Sequence, residues 1–237
     1  KDPHSLSSNF VRACCEDNLG NIWIGTFNGL NRYNKITGLF QNHTANDTQA
    51  DGLTHSSIWC IVKDNQGTLW LGTYFGGVNY FNPEYEIYTR YSYSSNEKKG
   101  LSNPVVGRTI EDRDGNLWIG TEGGGLNYYN RRTREFKWYR PQEGRNSISH
   151  NNVKALYYDA DKEIIWIGTH LGGLNKLDIR SGHFTHYRME EGNPNTLPSD
   201  IIRDIIPYKS LLIIATQNGV CLFDPANGQC QQLFKDS

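Results

Sequence analysis

The sequence predicts an all-β protein made of repeated four-stranded units, and three observations support this prediction. Aromatic residues make up 12% of the 237 residues and Gly occurs 24 times, a composition that favours strands and turns. No segment shows the sustained apolar periodicity of an amphipathic helix. A Trp-centred block of residues returns along the chain at a nearly constant spacing, which is typical of a repeat architecture.

In the repeated block, a Trp is followed by an apolar residue, Gly and Thr. Successive blocks are 47 or 48 residues apart, and an Ile takes the Trp position in the fifth copy. The central residues are Trp23, Trp70, Trp118, Trp166 and Ile213. Spacings that agree within one residue across the whole chain exclude a chance resemblance.

Each copy has the same frame of four short strands, A to D. The block forms strand B, an apolar strand A precedes it, and Asp-x-x-Gly lies between the two in three copies as a hairpin turn. A Gly turn leads to strand C, and a second hairpin leads to strand D, which holds Phe40, Tyr88, Phe136, Phe184 or Cys230. Four antiparallel strands at this period are typical of β-propeller blades, which stack on one another to bury both faces.

We therefore predict a single β-propeller region over residues 1–237, with blades at about 1–47, 48–95, 96–143, 144–191 and 192–237. The four Trp side chains are interpreted as structural, filling the space between blades: Trp23, Trp70, Trp118 and Trp166. We expect the five blades to be a sector of a larger, seven-bladed ring, and closure into a ring of five is the alternative. Open end blades would favour self-association.

Charge and motifs limit the function. The 24 basic and 25 acidic residues give a net charge of −1, so neither nucleic acid nor membrane contact by this segment is expected. No apolar run is long enough to span a bilayer. The sequence contains no Gly-x-Ser-x-Gly, His-Glu-x-x-His, phosphate-loop or kinase motif. We therefore expect no catalytic residues, no metal site and no cofactor.

Strand direction places the B–C loops and the linkers before strand A on one face, and these segments vary most between copies. Aromatic rings and planar hydrogen-bonding groups on that face would suit a sugar, and its basic residues would suit an acidic sugar or a sulfate. The candidate ligand-binding residues are Arg12, Phe27, Asn28, His55, Trp59, Tyr74, Phe75, Arg108, Glu122, His150, Lys154, His170, Arg203 and Gln217.

A structural interpretation of these residues stands beside the functional one. Arg and Lys side chains at strand starts are commonly solvated or paired with loop carboxylates. Tyr74 and Phe75 are expected to be half-buried between blades, with one ring outward. His55, His150 and His170 lie on different blades, so they are not expected to converge on a metal ion.

The cysteines divide into two groups. Cys14, Cys15 and Cys60 are interpreted as buried free thiols. Cys221 and Cys230 replace the Asn and the aromatic residue of the other blades and flank the hairpin at residues 224–228. If the turn centres on residues 225 and 226, the two cysteines lie opposite each other and can form a disulfide. A one-residue change in the turn would place them out of register.

Blade three shows a family resemblance most clearly, as Leu101-Ser102-Asn103, then Asp112 to Thr121, then Gly124 to Asn130. This pattern resembles the two-component-regulator propeller repeat. In that family, such repeats form the periplasmic sensor region of Bacteroides-type hybrid histidine kinase/response regulator proteins, which are anchored in the inner membrane. Two seven-bladed propellers usually precede a β-sandwich and the kinase parts, whereas this chain shows five repeats and neither of those parts.

The resemblance implies a non-enzymatic, periplasmic domain that senses oligosaccharides and controls polysaccharide use, within a parent protein that is a dimeric kinase. Two alternatives remain. One is a propeller lyase or glycan-active enzyme resembling streptogramin lyase, for which Glu122 and His170 on adjacent B–C loops are the candidates. The other is a protein-interaction scaffold that binds a partner on its flat face.

Overall fold

The computed structural model describes residues 4–45 and 52–235, and these residues form twenty strands and one short 3-10 helix, Glu97–Lys99. The strands form five sheets of four, and within each sheet they are hydrogen-bonded in chain order. The prediction of an all-β protein built from four-stranded blades is confirmed. In the described part of the chain, no helix has the length and apolar character needed to cross a bilayer.

The strand bounds follow the repeat. Blade 1 contains β1 (Val11–Glu16), β2 (Ile22–Thr26), β3 (Gly29–Tyr33) and β4 (Phe40–His43). Blade 2 contains β5 (Ile58–Lys63), β6 (Leu69–Thr73), β7 (Val78–Asn82) and β8 (Ile87–Tyr91). Blade 3 contains β9 (Val106–Glu111), β10 (Leu117–Thr121), β11 (Leu126–Asn130) and β12 (Glu135–Tyr139).

The second half of the chain repeats the pattern. Blade 4 contains β13 (Val153–Asp159), β14 (Ile164–Thr169), β15 (Leu174–Asp178) and β16 (Phe184–Tyr187). Blade 5 contains β17 (Ile202–Tyr208), β18 (Leu211–Thr216), β19 (Gly219–Phe223) and β20 (Cys230–Lys235). The predicted boundary between the first two blades, at 47/48, lies outside the described residues.

The chain divides into two compact units. The first unit runs to Ile119 and includes Tyr129–Lys137, so it holds blades 1 and 2. The second unit consists of Gly120–Tyr128 and the residues from Trp138 onward, so it holds blades 4 and 5. The division passes through the sheet of blade 3.

In blades 1 to 3, one Asp carboxylate joins the A–B turn to the Trp of strand B. Two backbone N–H groups of the first turn donate to Oδ1 of Asp17 at 2.9 Å, and the indole N–H of Trp23 donates to Oδ2 at 2.7 Å. The same indole bond recurs between Asp64 and Trp70 at 2.8 Å and between Asp112 and Trp118 at 3.1 Å. The repeated Asp therefore organises the turn and also satisfies the polar atom of a buried ring.

Blade 4 lacks this bond because its A–B ladder continues to Asp159, which places this Asp in strand A, whereas Asp17 follows the last pair of the blade 1 ladder. Asp159 lies opposite Ile164 and pairs with Lys162 at 3.1 Å. The indole nitrogen of Trp166 is buried, and none of the described residues is its hydrogen-bond partner. Because an unpaired buried N–H costs about 1–3 kcal/mol, this blade forgoes stabilisation that blades 1 to 3 have.

The Trp side chains fill the space between neighbouring blades. Trp23 lies edge-on to Phe81 of blade 2, with ring centroids 5.0 Å apart, in the first unit. In the second unit, Trp166 lies edge-on to Phe223 of blade 5 at 5.4 Å. All four Trp side chains are at most 2% exposed. Their burial contributes much of the apolar area that holds one blade against the next.

A buried Asn on strand C joins blades 1, 2 and 4 to the linkers that precede them. In blade 4, the backbone N–H of Ser149 donates to Oδ1 of Asn175 at 2.8 Å, and the amide nitrogen of Asn175 donates back to the Ser149 hydroxyl at 2.8 Å. Asn79 and Thr54 make the same pair of bonds in blade 2, and Ser7 makes the backbone bond to Asn31 in blade 1. This reciprocal bond explains why Leu-Ser and Gly-Leu-Asn recur together in the sequence.

A buried ion pair joins blades 2 and 3 within the first unit. The guanidinium of Arg131 pairs with Asp64, lies 3.7 Å from Glu111 and sits 5.0 Å from the ring centroid of Trp70. The Asp64 side chain is fully buried, and burial raises the pKa of Glu111. The pair fixes how these two blades meet, since a displaced blade would leave a buried charge without its partner.

The end blades expose apolar side chains. On β17, Ile206 is 52% and Tyr208 is 45% exposed, and at the other end of the chain Phe10 is 73% exposed. Ile213, which stands at the Trp position of blade 5 opposite Ile206, is only half-buried. The seven-bladed ring and self-association through the end blades remain predictions that this exposure motivates.

We predict that Asp17→Ala lowers the free energy of unfolding by about 2 kcal/mol, because it leaves the Trp23 N–H buried and unpaired and removes the turn bonds. Asp159→Ala is the control, since Asp159 lies at the end of strand A in blade 4 and bonds to Lys162 rather than to a Trp. For the control we expect a loss below about 1 kcal/mol. Urea unfolding followed by Trp fluorescence measures both, and equal losses would contradict the role given to Asp17.

A pH prediction follows from the same carboxylate. Burial acts to raise the pKa of Asp17, but hydrogen bonds from Asn21, Trp23 and Leu19 outweigh it, so the pKa lies below its ordinary value of 3.8. The stabilisation is therefore complete above that value and is lost as the pH falls through the lower, folded-state pKa. The difference in unfolding free energy between wild type and Asp17→Asn should shrink below about pH 4. A difference that is constant from pH 7 to pH 3 would rule this out.

Candidate functional site

Hydrogen bonds bring the B–C loops and the linkers before strand A to the same side of the sheets in both units. In blade 2, the N–H of Tyr74 donates to the carbonyl of Ser57 at 3.1 Å, and the N–H of Gly77 donates to the carbonyl of Pro104 at 2.9 Å. The second unit repeats both bonds, from His170 to Asn152 and from Gly173 to Asp200. Each B–C loop is thereby held next to the start of its own strand A and to the following linker.

Four of the five residues predicted just inside strand A are the extra residues of β-bulges. The ladder shifts between Ile58 and Cys60, which leaves Trp59 without a cross-strand partner. The same shift isolates Arg12, Lys154 and Arg203. A bulge turns its extra side chain out of the regular alternation of the strand. Arg108 does not belong to this set, because alignment of the repeats puts Gly107 at the bulge position and Arg108 one residue later.

In the first unit, five predicted residues form what we call the aromatic cluster: Arg12, His55, Trp59, Tyr74 and Phe75. The Arg12 guanidinium lies 5.0 Å from the Trp59 ring centroid, and the Tyr74 ring stacks on Trp59 at 5.1 Å. Phe75 and His55 lie edge-on to Tyr74 at 4.8 and 6.2 Å. Tyr74 is 40% and Phe75 is 58% exposed. Both rings are thus exposed rather than half-buried between blades, because they follow the last residue of β6 and lie in the loop.

The cluster is held by its backbone surroundings. Nδ1 of His55 accepts the N–H of Ser57 at 3.0 Å, so the neutral ring carries its proton on Nε2. The corresponding turn bond is accepted by the side chains of Ser8, Asn103, His150 and Ser199 in the other linkers. The indole nitrogen of Trp59 is buried and has no partner among the described residues. Trp59 therefore supports Tyr74, and the more exposed rings face solvent.

Phe27 and Asn28 stand apart from the aromatic cluster. Phe27 is 55% exposed and its N–H donates to the carbonyl of Phe10 at 3.0 Å. The N–H of Asn28 donates to the hydroxyl of Thr26 at 3.1 Å, as in a tight turn. Both residues lie on the loop side of blade 1, and within the described residues neither contacts the rings of Trp59 or Tyr74.

In the second unit, the predicted residues pair with one another. Lys154 forms an ion pair with Glu122, and each side chain is about a quarter exposed. The guanidinium of Arg203 donates to the side-chain oxygen of Gln217. Each of these pairs joins a bulge residue to a residue of a B–C loop. The charge of Lys154 is offset by its partner, so this part of the surface is less cationic than the sequence predicts.

His150 and His170 lie close together in the second unit, with ring centroids 6.4 Å apart. Nδ1 of His150 accepts the N–H of Asn152 at 3.0 Å. Burial lowers the pKa of His150, and the nearby His170 and Arg188 lower it further, which favours a neutral ring at pH 7. Among the described residues, no group of three His, Cys, Asp or Glu side chains is arranged to hold a metal ion.

Sequence reasoning missed Arg188 on this surface. Its guanidinium donates to the carbonyl of Leu171 at 3.1 Å and to the carboxylate of Asp200 at 3.3 Å, joining a B–C loop to the next linker. Leu171 has a φ of 74° and is 55% exposed. Arg188 directly follows β16, at a position that Ser92 occupies in blade 2, so no repeated pattern marks it.

A cavity of about 540 Å³ lies beside the predicted set in the second unit. It runs along the linker into blade 5, between Glu190 and Gln232, and contains none of the predicted ligand-binding residues. The aromatic cluster brings two exposed rings and a cation together on the loop side of the first unit.

Several solved structures share the fold. The chain aligns over 95% of its length with 30% of the extracellular domain of a hybrid two-component system from Bacteroides thetaiotaomicron, with a TM-score of 0.82 and 21% identity. A second such extracellular domain from that organism aligns with a TM-score of 0.53 and 22% identity, over 94% of this chain and 37% of the other. Virginiamycin B lyase from Staphylococcus aureus aligns with a TM-score of 0.69 and 11% identity, over 99% and 71%.

These likenesses show a β-propeller fold, and the chain spans about a third of the length of the two extracellular domains. Comparison with curated protein sequences gives no match. The sequence model of the two component regulator propeller family matches residues 5–28, 52–75, 100–123 and 147–170. Each match runs from the linker through strand A and the Trp block to the B–C loop, in blades 1 to 4. In these four blades, the chain carries the two component regulator propeller repeat.

Proposed function

We propose that this chain is a ligand-sensing segment of the periplasmic part of a hybrid two-component protein, and that its ligand is an oligosaccharide. The repeat supports the proposal, because it matches the two component regulator propeller and because solved structures with the same fold include extracellular domains of such systems. In this proposal the segment binds and does no chemistry, the parent protein is anchored in the inner membrane, and its kinase parts lie outside this chain.

The aromatic cluster is the observation that carries the choice of ligand. The C–H faces of a sugar ring stack on aromatic rings, and its hydroxyls need paired donors and acceptors. Tyr74 and Phe75 supply two exposed rings at an angle of 88° to each other. The Nε2–H of His55 and the hydroxyl of Tyr74 supply polar groups beside them. An angled pair of rings with polar edges suits a chain of two or more sugar units better than a flat surface does.

Rigidity also favours this site. Tyr74 is held by stacking on Trp59 and by the N–H bond to Ser57, and Trp59 is itself fixed at a β-bulge. A ring held before binding loses little rotamer entropy when a ligand arrives. The cluster is therefore prepared for recognition in the free protein.

The charge at the cluster supports an acidic sugar over a neutral one. No carboxylate of the described residues lies within ion-pair distance of Arg12. The guanidinium of Arg12 lies over the face of Trp59. A guanidinium held on an aromatic ring keeps its N–H groups in one plane, available to a carboxylate or a sulfate. The ion pair of Lys154 with Glu122 makes the second unit a weaker candidate for an anion.

Glycan cleavage is the competing function. The chain shares a fold with virginiamycin B lyase, but at 11% identity the likeness concerns fold alone. In the lyase alternative Glu122 and His170 would act, and Glu122 is engaged by Lys154. Incubating the protein with a panel of neutral and uronate-containing polysaccharides, followed by chromatography of the products, separates the two functions. Turnover would contradict the sensing proposal.

We predict that Tyr74→Ala raises the Kd for an oligosaccharide that stabilises the wild type by about ten-fold, roughly 1.4 kcal/mol, because it removes a stacking face. A thermal-shift screen of neutral and acidic oligosaccharides identifies such a ligand, and calorimetry measures its Kd. Tyr85→Ala is the matched control, since Tyr85 is an equally simple exposed Tyr, 65% exposed, in the C–D hairpin of the same blade. Equal affinities of wild type and Tyr74→Ala, or no stabilisation by any sugar, would contradict the proposal.

The preference for acidic sugars is tested separately through Arg12→Gln. We expect this substitution to weaken binding of a uronate-containing oligosaccharide about five-fold, roughly 1 kcal/mol, by removing a charge-assisted bond. The neutral oligosaccharide of the same length should bind wild type and variant alike. Equal losses for both ligands would assign Arg12 a packing role on Trp59 and would contradict the charge preference.

A further inference from the structure

Blade 5 departs from the repeat at three positions that lie together in the other blades. Cys221 stands where strand C otherwise has the buried Asn, and Cys230 stands where strand D otherwise has an aromatic residue. Pro198 replaces the linker Ser or Thr that bonds this Asn. Pro has no N–H and no hydroxyl, so the reciprocal bond of the other blades cannot form here. In blade 5, two thiols stand at the positions that carry the hydrogen-bonded Asn and the strand D ring in the other blades.

The register brings the two cysteines onto one face of the sheet. Cys230 lies opposite Phe223, and Cys221 lies opposite Gln232, so the two thiols are diagonal neighbours on adjacent strands. The expectation that they lie directly opposite was wrong, because the hairpin between β19 and β20 spans 224–229 rather than centring on residues 225 and 226. Both are free thiols, both are at most 4% exposed, and both belong to one apolar cluster.

The two thiols contact each other, and their chemistry differs. Their interaction lowers the pKa of the Cys230 thiol and raises that of Cys221. A thiolate attacks disulfides, whereas a thiol does not. This direction favours Cys230 as the attacking residue, in agreement with its position in the wall of a cavity that Cys221 does not line.

Cys230 also has a route to solvent. A surface cavity of about 480 Å³ is bounded by Pro194 and Asn195 of the linker and by residues of the hairpin, and Cys230 forms part of its wall. Cys221 does not line this cavity. Of the two cysteines, a small molecule that enters this cavity can therefore contact only Cys230 in its wall.

We propose that Cys230 and Cys221 form a thiol–disulfide exchange site for low-molecular-mass disulfides, with Cys230 as the attacking residue and Cys221 as the resolving residue. Neither cysteine belongs to the aromatic cluster proposed to bind a sugar, so the exchange reaction does not depend on that proposal. Its outcome is a covalent link between strands C and D of blade 5.

The reaction has two balanced steps. Cys230 attacks one sulfur of a disulfide R–S–S–R, the S–S bond of that molecule breaks, and one RS⁻ leaves as the mixed disulfide forms. Cys221 then attacks the Cys230 sulfur, which expels the second RS⁻ and forms the Cys221–Cys230 bond. The protein loses two electrons and two protons, and the small disulfide gains both as two RSH molecules.

The other cysteines lack this arrangement. Cys60 is buried, and its sulfur lies 3.8 Å from the hydroxyl of Thr109, with no second thiol beside it. Cys14 is exposed and Cys15 is half-buried, so the expectation that both are buried was wrong, because they are adjacent on β1 and their side chains point to opposite faces of a strand in an end blade. Cys60 is therefore a natural internal control for oxidation of a single buried thiol.

Glutathione disulfide is the probe for the test. The folded protein is incubated with it, then denatured, alkylated with iodoacetamide and digested with trypsin. Residues 210–235 form one tryptic peptide that contains Cys221 and Cys230 and no other cysteine. We expect this peptide to escape alkylation at both positions and to lose the mass of two hydrogen atoms, while Cys60 remains alkylated. Full alkylation of the peptide after oxidation would overturn the proposal.

Two variants assign the order of attack. Cys221→Ser should stop at the first step and accumulate one glutathione on Cys230, whereas Cys230→Ser should leave Cys221 alkylatable and unmodified. A glutathione adduct on Cys221 in the second variant, or none on Cys230 in the first, would overturn the assigned roles. If a variant fails to fold, formation of the disulfide is still tested on the wild type, whose melting temperature the disulfide should raise by about 5 °C. An unchanged melting temperature, with both cysteines of the peptide still alkylated, would contradict the exchange-site proposal.

Discussion

The structure depends on how the N–H of a buried Trp is satisfied. Trp23 and Trp166 each pack against a ring of the next blade in their own unit, so the indole nitrogen is removed from water, and an unpaired polar group there costs a few kcal/mol. Asp17, and its counterparts in blades 2 and 3, accept this bond while also accepting the backbone N–H groups of the A–B turn. Turn and core are therefore specified by one carboxylate. For this reason Asp-x-x-Gly and the Trp block appear in the sequence at a fixed separation.

This constraint acts at the end of each blade that carries the A–B turn, which leaves the other end free to vary. There, β-bulges place Arg12, Trp59, Lys154 or Arg203 beside a B–C loop without disturbing the Trp packing. A bulge residue has no cross-strand partner to maintain, so its identity can change at little cost to the sheet. Stability and recognition thus use different residues of the same strands, as in other scaffolds that carry function on loops.

The repeat made the fold predictable, because a regular spacing, a turn motif and strand alternation all indicate the same four-stranded unit. The side-chain pairs were less accessible. Glu122 meets Lys154 only because consecutive blades place a B–C loop beside the next strand A, and no local pattern encodes that meeting. A one-residue offset was enough to select Arg108 where Gly107 stands in the repeat. The register of Cys221 was missed for a similar reason, since it depends on the length of a single turn.

Blade 5 shows that the repeat positions are coupled rather than independent. Once Pro198 replaces the linker Ser, a buried Asn at position 221 would lose its partner, and a small apolar thiol avoids the cost of burying an unpaired amide. Cys230 at the strand D position belongs to the same buried apolar cluster as Cys221. Ile213 stands at the Trp position and has no side-chain N–H, so the A–B turn of blade 5 needs no Asp to accept one. The repeat positions of blade 5 have therefore changed together, and the blade keeps its four strands.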